Sequence, residues 1–111
     1  INERDDLMAM PRAPWAESSC WLYSVLTASH EAANDLVNHL EDAGIGGRVF
    51  WRSLSPQPAY ANAPHHLDGS AARLSGRVVS LPCSSWLTEE QISRIIGALA
   101  TWRGAKISRE N

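Results

Sequence analysis

The sequence predicts an α+β fold, a small two-layer sandwich with helices packed on a sheet of about three strands. Apolar residues recur at helical spacing over 30–43 and again from Ile92 to Trp102. Short β-prone runs lie at 18–27, 48–51 and 77–82. The chain has 111 residues, 44% hydrophobic and 20% charged, which supports one domain with a real core.

Residues 1–17 mix charge with Met8, Met10, Pro11 and Pro14 and read as a linker or domain-boundary segment. The domain itself is expected over 18–105, followed by a tail at 106–111. Ser18–Thr27 reads as the first strand, with Cys20, Leu22, Ser24 and Leu26 on one face and Trp21, Tyr23 and Val25 on the other. Both faces are largely apolar, so the strand is expected to be covered on both sides, with Trp21 in the core.

Ser29 is placed to cap the first helix, because its hydroxyl can accept an orphan N–H of the first turn. Ala33, Leu36, Val37, Leu40 and Ala43 form its apolar stripe, and Gly44 stands where a left-handed terminator belongs. Arg48–Trp51 reads as a second short strand. Residues 53–69 hold Pro56, Pro58 and Pro64 with little periodicity, and long irregular segments within a compact domain are often functional. Gly69–Ser75 reads as a short helix and Arg77–Pro82 as the third strand.

The last helix is signalled most clearly. Thr88-Glu89-Glu90-Gln91 is a capping box, with Leu87 and Ile92 in the positions of a hydrophobic staple. Ile92, Ile95, Ile96, Leu99 and Trp102 form its expected buried stripe, and Gly104 marks its end.

Composition narrows the function. The net charge is −2 and the ten Lys and Arg residues are scattered, so no basic stripe points to nucleic acid or an anionic membrane. No apolar run approaches the roughly 20 residues of a membrane span. The first residues are polar and acidic, unlike a signal peptide, which favours the cytoplasm; the missing initial Met suggests a trimmed chain. Cys20 and Cys83 cannot build a disulfide framework or complete a zinc site by themselves.

His65-His66, with Asp68 nearby, is the conspicuous metal candidate, but adjacent residues diverge and too few further ligands exist, so no metal site is assigned. His30 and His39 lie off the apolar stripe and read as solvated surface. Cys83 lacks a base placed beside it by sequence and reads as a half-buried structural thiol. Gly44-x-Gly46-Gly47 follows a helix instead of preceding one, so it terminates the helix and is no phosphate loop. The strongest candidate is Arg48–Gln57, which joins two cations, an indole, hydroxyls and an amide. Arg can clamp phosphate or carboxylate through its fork, and Trp51 can stack on a sugar or base.

Three linked segments, GRVFWRSLSPQPAY over 47–60, RVVSLPC over 77–83 and LTEEQISRII over 87–96, resemble the C-terminal domain of the DegT/DnrJ/StrS sugar aminotransferases. Order and spacing agree over 18–103. The resemblance implies the small domain of a fold type I, pyridoxal-phosphate-dependent enzyme that moves an amino group, usually from glutamate, to a keto sugar attached to a nucleotide. It further implies a homodimer, and a larger N-terminal domain that holds the Schiff-base lysine and most of the cofactor contacts. No catalytic residue is therefore expected in this chain, and its single lysine, Lys106, falls in no family motif. By resemblance Arg48, Trp51, Arg52, Ser55 and Gln57 bind substrate. Ser53 stands where many members have proline and Ser55 where many have histidine, so the sugar contacts differ in detail. Two other readings remain open: a non-catalytic binding module that kept the small-domain fold, and a small metal enzyme built on His65 and His66.

Overall fold

Ser29 and Thr88 do the capping that their positions predict. In the computed structural model, which describes residues 1 and 3–108, helix α1 spans His30–Asp42 and helix α3 spans Glu89–Thr101. The Ser29 hydroxyl accepts the Ala32 N–H at 3.2 Å. At α3 the Thr88 hydroxyl accepts the Gln91 N–H at 3.2 Å while the Gln91 side chain accepts the Thr88 N–H at 2.9 Å. Gly44 ends α1 at φ +70, a conformation that costs glycine nothing. A five-residue helix α2 covers Ser70–Leu74, and a 3-10 turn covers Pro58–Tyr60. None of these helices is long and apolar enough to cross a membrane.

Among the described residues the sheet has four strands: β1 (Met8–Ala9), β2 (Tyr23–Leu26), β3 (Arg48–Val49) and β4 (Val78–Leu81). They lie in the order β1-β2-β4-β3, antiparallel throughout. Val25 pairs with Val79 at the centre, and alternation sends both to the face covered by α1 and α3. Leu36 and Leu40 of α1 and Leu99 and Trp102 at the end of α3 close that core. Each fully buried aliphatic side chain contributes about 1.5–3 kcal/mol. On the opposite face Ser24 and Ser80 pair, their hydroxyls 3.0 Å apart. The fold is the α+β sandwich that the sequence predicts, with one strand more.

That strand corrects the expectation of a linker over 1–17. Leu7 is buried in the core and β1 pairs with β2, so residues 4–9 belong to the fold. Arg4 reaches the open end of α3, donating to the carbonyls of Leu99 and Trp102, while Asp6 accepts the Gly104 N–H at 3.0 Å. Residues 106–108 are tied back as well. Ile107 donates its N–H to Asp5 O at 2.7 Å and Lys106 pairs with the Asp5 carboxylate; residues 109–111 of the expected tail lie outside the described residues.

Four further expectations give way. The first strand shrinks to Tyr23–Leu26, because Cys20 sits in the left-handed region at φ +55 and breaks the extended run. Trp21 is 68% exposed, since the helices cover one sheet face only. On α3 the buried stripe narrows to Leu99 and Trp102 with Ile95 partly buried, while Ile92 and Ile96 face out. A 13-residue helix on a narrow sheet has too little opposite it to cover a wider stripe. His39 also departs from a solvated reading. Its Nε2 lies 2.9 Å from Ala98 O and 3.2 Å from Thr101 Oγ1, bridging α1 to the last turn of α3.

Candidate functional site

The segment after β3 leaves the sheet and turns back on itself. Phe50 still donates to Val78 O at 2.5 Å, and Trp51 then stacks on its ring at 5.5 Å with 7° between the planes. Trp21 meets Trp51 edge-on at 5.9 Å. Trp51 nevertheless remains 67% exposed, a flat apolar surface presented outward. The turn is fixed by its own polar groups: Gln57 N–H to Leu54 O at 2.9 Å, Gln57 Nε2 to Ser53 O at 3.2 Å, and Ser53 Oγ to Ser55 Oγ at 3.3 Å.

Between this turn, the start of α1 and the turn before β4 lies an open cleft of about 710 Å³. Trp51, Arg52 and Gln57 line it from the loop, His30 and Asn34 from α1, and Gly76 from the turn. Two of the sequence candidates are not among its walls. Arg48 pairs with Ser80 on the sheet face away from the helices, and the Ser55 hydroxyl is turned to Ser53. Gln57 is half committed, since its amide braces the loop while the residue borders the cleft. Arg52 has no hydrogen-bond or ion-pair partner among the described residues, so all five guanidinium N–H donors remain available.

His30 and Asn34 were not marked by the sequence as site residues. The signal that places them is indirect: Ser29 as the cap puts His30 at the first helical position, and Asn34 follows one turn later on the same face. Gly76 makes the approach of His30 possible. Its φ is +76, and a Cβ there would stand 2.8 Å from His30 Nδ1. On the other side of Trp51, Met8, Met10, Leu26, Leu74 and Val78 form an apolar trough of about 470 Å³ along the open sheet face.

The remaining candidates are placed elsewhere. His65 and His66 are exposed, and His65 Nδ1 lies 2.9 Å from Ala63 O. Asp68 accepts the Ser70 N–H at 2.8 Å at the start of α2, and that bond, with the Ser70 hydroxyl and Arg73, lowers its pKa below the usual value. No group of three or more His, Cys, Asp or Glu side chains able to hold a metal occurs among the described residues. Cys83 is half-buried and its thiol donates to Trp21 O at 3.3 Å.

A sheet backed by helices on one face, with an aromatic and cationic loop at its edge, is consistent with a small domain of an aminotransferase. The chain belongs to the DegT/DnrJ/EryC1/StrS aminotransferase family, which it matches over residues 1–100. Solved structures agree. The sugar aminotransferase CalS13 from Micromonospora echinospora is similar at 28% identity and a TM-score of 0.75, covering 90% of this chain and 26% of that one. DesV from S. venezuelae is 28% identical with a TM-score of 0.73, covering 87% of this chain and 26% of its own. The PLP-form of Spr1654 from Streptococcus pneumoniae is 26% identical with a TM-score of 0.71, covering 86% and 26%. The chain thus spans about a quarter of the length of these relatives. A comparison with curated proteins finds no match.

Proposed function

We propose that this chain is the C-terminal part of a pyridoxal-phosphate-dependent aminotransferase that moves an amino group from glutamate to a nucleotide-linked keto sugar. The observation that carries this reading is the cleft in which Trp51, Arg52 and Gln57 converge, within a chain of the aminotransferase family. In this reading the indole offers a stacking face, the guanidinium offers charge-assisted donors and the Gln57 amide keeps the loop in shape. Arg48 and Ser55 do not line the cleft.

The chain's own residues lack the group that would anchor pyridoxal phosphate covalently. The cofactor needs a lysine for its Schiff base, and the single lysine, Lys106, is exposed and paired with Asp5 at 2.6 Å. We therefore assign cofactor binding and the catalytic lysine to a larger domain of the parent enzyme, and no independent activity to these 111 residues. The parent is proposed to act as a homodimer in the cytoplasm. The test is the purified parent protein with pyridoxal phosphate, glutamate and a set of nucleotide-linked keto sugars. An aminated sugar detected by mass supports the reading, and absence of both a visible cofactor band and any aminated product overturns it.

A further inference from the structure

The sequence motifs assign the loop side of the cleft and leave its helix side unassigned. That side is the first turn of α1, where His30 lines the same space as Arg52. Its ring lies against Gly76, where any β-carbon would collide with Nδ1, so turn and imidazole are matched in shape. Asn34 donates to His30 O at 3.0 Å and holds the backbone there. Whatever its protonation state, the imidazole carries at least one N–H donor. The start of α1 adds the positive end of the helix dipole. Among the described residues that line the cleft there is no carboxylate; the neighbouring Glu31, outside the lining, interacts with Ser29 at the helix cap and with His30. Two donors from different elements, one permanently cationic, thus border a space whose lining carries no carboxylate.

We propose that His30 and Arg52 form a two-sided seat for the diphosphate of the substrate, with Trp51 flanking it. This assignment rests on the proposed nucleotide-linked substrate and goes beyond it by naming which residues take the anionic bridge. A diphosphate offers several anionic oxygens to donors from both elements, and the fork of Arg52 suits paired oxygens.

The test uses steady-state kinetics of the parent enzyme and direct titration of this chain with a free nucleoside diphosphate. Arg52→Ala is expected to raise the KM for the nucleotide-linked sugar and the Kd of the nucleoside diphosphate by about tenfold or more, and His30→Ala by several-fold. The KM for the amino donor stays unchanged, as does the thermal midpoint. Arg12→Ala, which removes a charge away from the cleft, leaves every constant as in the wild type. Wild-type values in both cleft variants overturn the seat, and do so without touching the proposed function if the enzyme still aminates the sugar. If the parent aminates no such sugar, the titration still decides. Binding lost in Arg52→Ala supports an anion seat, and no binding by the wild type overturns it. Competition by pyridoxal phosphate for the same residues would assign the seat to the cofactor's phosphate and overturn the substrate assignment.

Discussion

The Arg4 guanidinium grips the Asp6 carboxylate through two contacts of 2.7 Å, one to each oxygen. Both groups are largely shielded, and each has a second task at the end of α3. Arg4 donates to Trp102 O at 2.7 Å and lies 5.8 Å from the centre of the Trp102 ring, while Asp6 accepts the Gly104 N–H. Carbonyls left open at a helix C-terminus are thus satisfied by a side chain from the other end of the chain. The first residues of the sequence lock the last helix.

Acid should open this clasp. The hydrogen bond from Arg4, reinforced by Gly104, holds the Asp6 pKa at about 2 against an ordinary 3.8. A depressed carboxyl stabilises the fold fully above its unfolded value and loses that contribution as pH falls through its folded value. Urea unfolding at pH 6, 4 and 2 should show a loss on the order of 2 kcal/mol between pH 4 and 2. Asp6→Asn should start less stable and lack this component, so that the two curves converge at low pH.

Helix α3 offers a paired test of burial. Trp102 is 3% exposed and its Nε1 donates to Asp35 at 2.8 Å, whereas Ile96 is 60% exposed. Trp102→Ala should destabilise by about 3–5 kcal/mol, and Trp102→Phe by about 1 kcal/mol through the lost hydrogen bond. Ile96→Ser should stay within about 0.5 kcal/mol of wild type. Thermal and urea midpoints check all three.

The capping box makes a separate prediction at the other end of that helix. Thr88→Ala removes the acceptor for the Gln91 N–H and should cost about 1 kcal/mol. Thr88→Ser should restore most of it. Urea midpoints of the two variants distinguish a lost cap from lost packing of the threonine methyl.

Local rules made much of this fold readable. Ser29, Gly44, Thr88 and Gln91 act through bonds within one or two turns, so their roles follow from spacing alone. The fourth strand was hidden because Met8 and Ala9 make only two residues of ladder and depend on β2 for their identity. Trp21, Ile92 and Ile96 mislead for a related reason. Their apolarity says that they prefer burial, but the sheet has only one layer of helices to provide it. At the cleft, Trp51, Arg52 and Gln57 were legible as one continuous segment. His30 and Asn34 were not, because their approach depends on a glycine turn more than forty residues away in the chain, at Gly76.

In the proposed function the Trp51–Gln57 loop faces the sugar substrate, and kcat/KM of the parent enzyme with and without the Trp51 ring tests this. Wild-type enzyme is expected to aminate a nucleotide-linked keto sugar. Trp51→Ala is expected to lower kcat/KM for that sugar about tenfold, while the half-reaction with glutamate and the folding stability stay as they were. Equal kcat/KM in the two enzymes, or no aminated sugar from the wild type, would overturn the proposed role of the loop.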